Sequence, residues 1–164
     1  MKKLNVILCL LISFSLTGCF NNNKNISDSN DKTLTTVCRG EQEIKEGISA
    51  NFKYELTSKN DNVLTLISTE TIESSDSEYL ENVKKSIEDT YSIYNNIKYY
   101  EYEIKIEDNK LISTVNIDYS KIDLNKLVDI DKANENIIVD GKVSLNNLKN
   151  MYESLGSVCV DKNK

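Results

Sequence analysis

The feature that most constrains the fold of this chain is a hydrophobic period that changes, and changes back, between Ala50 and Tyr119. Ala50, Phe52, Tyr54 and Leu56 alternate with Asn51, Lys53 and Glu55, the period of two that sorts side chains onto the two faces of a strand. Lys59-Asn60-Asp61-Asn62 carries turn chemistry, and residues 63–72 (VLTLISTETI) return as the β-branched second arm of a hairpin. The period then switches. Leu80, Val83, Ile87, Tyr91 and Tyr94 recur by threes and fours while Glu81, Lys84, Lys85 and Glu88 face elsewhere, which predicts an amphipathic helix. Ser75-Asp76-Ser77-Glu78 ahead of it reads as a capping box, with Ser75 as the cap and Glu78 reaching back.

Period two then resumes. Tyr100, Tyr102, Ile104 and Ile106 alternate with Glu101, Glu103, Lys105 and Glu107, Asp108-Asn109 makes a turn, and Leu111, Val115, Ile117 and Tyr119 mark the way back. Residues 120–143 are less regular, with a short helical turn expected near Leu124 to Val128 and a turn at Asp140-Gly141. In the last helix Ser144 is the cap, Leu145, Leu148, Met151, Tyr152 and Leu155 share a face, and Gly156 is the left-handed stop. Val158 to Val160 suits a short closing strand. The plan is α+β: an antiparallel β-sheet built from two hairpins, with two amphipathic helices packed against one face.

Residues 1–18 read as a lipoprotein signal peptide. Lys2 and Lys3 precede a largely apolar run from Leu4 to Leu16, too short and wrongly flanked for a spanning helix. The run ends in Leu16-Thr17-Gly18-Cys19, which resembles the lipobox of bacterial lipoproteins. Leu16, Thr17 and Gly18 are the expected recognition residues for the signal peptidase, and Cys19 the expected lipidation site and new N-terminus. A diacylglyceryl group on Cys19 brings two acyl chains, and two are needed for stable anchoring because one binds only reversibly. The expected location is the extracytoplasmic face of a cell membrane. Residues 19–32 hold the lipidated cysteine and then FNNNKNISDSNDK, whose polar composition cannot bury enough apolar surface to order itself, so the segment reads as a tether. Residues 33–164 suit a single globular domain.

Four cysteines sort by position. Cys9 leaves with the signal peptide and Cys19 is alkylated. Cys38 and Cys159 remain, and in an exported chain the simplest reading is one structural disulfide. It closes a loop of roughly 120 residues, for which the chain-entropy view gives a little over ~4 kcal/mol. Nothing resembles Cys-x-x-Cys, and two thiolates without histidine make half a metal-ligand set.

Chemistry is constrained mainly by what is missing. There is no histidine in 164 residues, which removes the usual general base, Ser-His-Asp and Cys-His constellations and every imidazole metal site. No Walker, dinucleotide, G-x-S-x-G or H-E-x-x-H pattern occurs. Residues 129–135 (DIDKANE) begin like a calcium loop, but Ala133 takes a ligand position and no glycine follows at the sharp turn, so a surface turn is expected. Within the tyrosine cluster, Tyr91 and Tyr94 lie on the helix's apolar stripe and Tyr100 and Tyr102 on the strand's. Tyr99 is left facing out as a surface contact. Loss of residues 1–18 takes Lys2, Lys3 and no acid, moving the net charge from −6 to −8, which argues against nucleic acid and anionic lipid as partners.

Several stretches together look like the YehR-like family of bacterial lipoproteins, itself a domain of unknown function. They are the lipobox, Val63-Leu64-Thr65-Leu66-Ile67-Ser68-Thr69-Glu70-Thr71, Tyr94-Asn95-Asn96-Ile97, residues 116–127 (NIDYSKIDLNKL) and the helix ending in Leu155-Gly156. The likeness spans about residues 48 to 158 and implies a lipoprotein with an α+β fold. Members of that family place an aromatic residue after the final glycine and need no disulfide. Here Ser157-Val158-Cys159 follows, so a Cys38–Cys159 bridge is this branch's own addition. The resemblance brings no catalytic residue and no cofactor. The expected function is therefore a non-enzymatic binding or interaction module at the cell surface, recognising an envelope protein, a peptide or a small ligand. The alternative is an accessory envelope protein acting in an assembly.

Overall fold

The computed structural model describes residues 32–162. Eight strands and three α-helices follow in the order β1 (Thr33–Lys45), β2 (Ile48–Lys59), β3 (Asn62–Ser74), α1 (Ser77–Ser92), β4 (Tyr100–Glu107), β5 (Lys110–Asp118), α2 (Leu124–Ile130), a 3-10 turn (Lys132–Ile137), β6 (Ile138–Val139), β7 (Lys142–Val143), α3 (Leu145–Ser154) and β8 (Val158–Asp161). Six strands form one antiparallel sheet in the order β4-β5-β3-β2-β1-β8, and β6 and β7 pair separately.

The α+β class holds, and two details of the expected plan are corrected. The first hairpin is the inner part of a three-strand meander, because β1 precedes it and pairs with β2 from Thr33↔Lys59 to Lys45↔Ile48. There are also more helical segments than two, since the 120–143 stretch holds both α2 and the 3-10 turn. The cap of α1 is corrected as well: Asp76, not Ser75, accepts from Tyr79 N at 2.9 Å, while Ser74 Oγ accepts from Asp76 N at 3.1 Å. An aspartate at the cap meets the helix N-terminus with a full charge, which favours it over the adjacent serine.

The register gives the sheet two unlike faces. Phe52, Tyr54 and Leu56 lie on the same face as Leu66, Ile72, Leu111, Val115 and Ile117, and all are buried. Helix α1 covers this inner face over β3, β4 and β5, and α3 covers it over β1 and β8. Leu80, Val83, Ile87 and Tyr91 of α1 and Leu145, Leu148 and Tyr152 of α3 supply the other side of the core. The outer face reads Ser49, Asn51, Lys53, Glu55 and Thr57 along β2, all partly exposed.

The start of α3 is locked to the β2–β3 turn. Asp61 accepts from Ser144 Oγ at 2.8 Å and Asn146 N at 2.9 Å, and its carbonyl accepts from Leu145 N at 2.8 Å. Ser144 Oγ in turn accepts from Asn147 N at 3.2 Å, the expected cap.

Candidate functional site

Tyr99 stands at the end of the α1–β4 connection with φ 71, a left-handed backbone that a bulky side chain adopts only under constraint. The constraint is visible: its carbonyl accepts from Asp118 N at 3.1 Å, which ties the turn to the end of β5. The residue is 36% exposed. Two ammonium groups flank it, Lys98 at 4.8 Å and Lys121 at 5.6 Å from the ring centroid. Lys121 also meets Asp118 at 2.7 Å, and the Ser120 amide donates to the same carboxylate. These contacts hold the Asp118 carboxyl below the usual carboxylate range, the lysine being the larger cause.

The other clustered tyrosines are core. Tyr91 is buried, Tyr94 stacks on Tyr100 with centroids 4.6 Å apart, and Tyr91 meets Tyr102 at 5.4 Å. Sequence reasoning missed what they surround. Glu70 projects from the middle of β3 onto the inner face, between Phe52 of β2 and Ser113 of β5. Tyr54, stacked 3.8 Å from Tyr152 of α3, bonds to its carboxyl, and Tyr91 of α1 lies close by. Part of Glu70 still meets solvent, yet protein packs densely around the carboxyl. That burial outweighs the Tyr54 bond and pushes its pKa up to about 7. The same burial raises Tyr54, Tyr91 and Tyr152, and the nearby Glu70 charge adds to each. Ser113 Oγ, fully buried beside Tyr91, makes no well-formed hydrogen bond. A signal for this cluster was present: Leu66 and Ile72 fix the phase of β3, and the same phase turns Glu70 inward.

Cys38 and Cys159 are bridged, with Cα atoms 3.9 Å apart across the β1–β8 ladder. Leu16, Thr17, Gly18 and Cys19 lie outside the described residues. The acids of the loop once comparable to a calcium site are used locally: Asp131 caps the 3-10 turn through Ala133 N at 2.9 Å, and Lys132 pairs with Asp129 at 3.9 Å and Glu135 at 3.6 Å. Among the described residues, no group of three or more His, Cys, Asp or Glu is placed to hold a metal ion.

A six-stranded antiparallel sheet with helices packed against it and a disulfide at its edge defines a small α+β protein. Residues 41–157 match the family described as "Protein of unknown function (DUF1307)", and the chain belongs to that family. The NMR structure of Escherichia coli YehR is similar, with 21% identity, a TM-score of 0.54, and coverage of 79% of this chain and 92% of that one. An NMR structure of a protein from Streptococcus pneumoniae TIGR4 also matches, at 14% identity and TM-score 0.47, over 91% of this chain and 98% of the other. The first match agrees with the fold. No functionally curated protein matches the chain significantly.

Proposed function

We infer that the protein is a lipid-anchored, extracytoplasmic binding module. Its diacylglyceryl-Cys19 holds it at the cell membrane, and its domain recognises an envelope protein, a peptide or a small ligand. The observation that carries this reading is the Tyr99 corner: an exposed aromatic, held in a costly backbone conformation and flanked by Lys98 and Lys121. Strain of that kind concentrates at functional positions, and tyrosine offers rigid amphipathic area for contact. No enzymatic role is proposed, since burial and Tyr54, not a second carboxylate, set the titration of Glu70.

The test is a photoreactive phenylalanine analogue at position 99 of the full-length protein in its native membrane. A discrete adduct is expected from position 99 and not from an analogue at the exposed Glu81 on α1. Equal labelling from both positions, or none from position 99, overturns the reading. The second reading, an accessory protein working within an assembly, has one specific observation in its favour, the uncovered sheet edge at β8.

A further inference from the structure

The two edges of the sheet are built differently. Edge strands expose unpaired backbone groups, and proteins that must not pair there block the edge with charges. The β4 edge is blocked in this way: Glu101, Glu103, Lys105 and Glu107 alternate along it, and all are exposed. The β8 edge is not. Val158 and Val160 are 69% and 59% exposed, the two most exposed large hydrophobics among the described residues.

The ladder shows which backbone groups this edge presents. Lys162 N donates to Thr35 O at 2.8 Å, so Thr35 and Lys162 face each other as a hydrogen-bonded position of the β1–β8 ladder. Stepping by two, Val160 and Val158 opposite Val37 and Arg39 also direct their amides and carbonyls toward β1. Cys159 and Asp161 therefore aim theirs away from the sheet. The Cys38–Cys159 bridge clamps the strand at its centre, so the template is held in place before anything binds to it.

The charge around the edge indicates what would bind. On the outer face Val160 is in line with Val37 and Glu55, and Val158 with Arg39 and Lys53. The Glu55 carboxylate there is held low by its 2.6 Å contact with Lys53, with Lys162 and Arg39 also acting on it. Arg39, Lys53 and Lys162 thus gather around Glu55, beside two exposed valines, on a protein whose net charge is −6. We propose that β8 is a docking edge for an extended acidic segment of a partner protein, which adds to the sheet as a seventh strand antiparallel to β8. Backbone bonds to Cys159 and Asp161 give the affinity, and acidic side chains alternating with apolar ones on the outer face meet Arg39, Lys162, Val158 and Val160.

The inference stands apart from the Tyr99 corner and from the anchor, so either can fail without the other. Its test uses the full-length protein in detergent micelles and a short synthetic peptide of alternating valine and threonine with glutamate at each end. The expected result is amide shifts confined to β8 and β1, slowed exchange of the Cys159 and Asp161 amides, and binding about tenfold tighter than the same peptide with lysine for glutamate. Backbone N-methylation of the peptide abolishes binding. So does Val160→Glu, an exposed substitution that leaves the rest of the spectrum unchanged. Arg39→Glu with Lys162→Glu shifts the preference to the lysine peptide. Equal affinity for both peptides, shifts elsewhere on the molecule, or self-association through β8 that excludes the peptide would each overturn the proposal.

Discussion

Glu70 is a carboxylate placed where an apolar residue would pack, and its effect on stability has a definite sign. Its pKa is raised from 4.5 to about 7, so the folded state holds the proton more tightly than the unfolded chain does. That contribution is fully present below about pH 4.5 and is lost as the pH rises through about 7, above which it changes no further. Glu70→Gln keeps the shape and a hydrogen-bonding partner for Tyr54 without a charge to bury. The variant is expected to melt above wild type at pH 8, by an amount worth on the order of 1–3 kcal/mol after discounting for the solvent Glu70 still meets. At pH 4 the two should nearly coincide. Melting curves across that range check it, and an equal gap at both pH values would dismiss the Glu70 explanation. Taking the difference between the two proteins also removes Glu55 and Asp118, whose lowered pKa values act in the opposite direction. Tyr99 yields a second residue-scale expectation. Tyr99→Gly relieves the left-handed backbone and should melt no lower than wild type, whereas Tyr99→Ala, keeping the strain and losing the ring, should cost about 1 kcal/mol.

Elements were legible where one face met the core and the other met water. β2, α1, β4, β5 and α3 each fulfil that condition, and their periods place them within a few residues of where they lie. β1 does not. From Glu41 to Glu43 it is exposed on both faces, so Glu41, Gln42 and Glu43 alternate with nothing apolar. Gly40 also has a reason no period reveals: a Cβ there would come within 2.9 Å of Ser157 Oγ. The Asp61 lock on α3 was hidden for a similar reason, since Asp61 reads as an ordinary turn residue until α3 arrives from 84 or more residues away. Asp61→Ala is expected to cost about 1–2 kcal/mol, the range for a lost helix cap, and to loosen the amides of Leu145 and Asn146 first, which hydrogen exchange will show. The Cys38–Cys159 pair was legible by elimination. β8 is four residues long and pairs with β1 alone, so the bridge is the strongest tie on that edge. A double Cys→Ser variant should fold around the remaining core and melt several degrees lower, for a loss of about 1–4 kcal/mol. Two free thiols recovered by non-reducing peptide mapping of the exported protein would remove the basis of that expectation.

For the whole molecule, the described domain and the anchoring segment use different physics, and the membrane attachment we propose rests entirely on the second. No helix among the described residues is long and apolar enough to cross a membrane. Attachment would come instead from two acyl chains on Cys19, each buried methylene contributing about 0.8 kcal/mol, with no help from the polypeptide, whose mature charge of −8 is repelled by anionic headgroups. The chain between the anchor and β1 is short. From Cys19 to Thr33 it spans at most about 50 Å when fully extended, so the proposed anchor would keep the domain close to the surface and would confine both Tyr99 and the β8 edge to partners there. Cys19→Ala therefore separates the two parts cleanly. The domain should fold as before, with the same melting temperature and the same Cys38–Cys159 bridge, because neither depends on the lipid. Labelling with a radioactive fatty acid should fall to background, and the protein should accumulate as unprocessed precursor or escape into the medium after cleavage elsewhere. A Cys19→Ala protein labelled as strongly as wild type would place the lipid on another residue and with it undo the proposed geometry at the membrane.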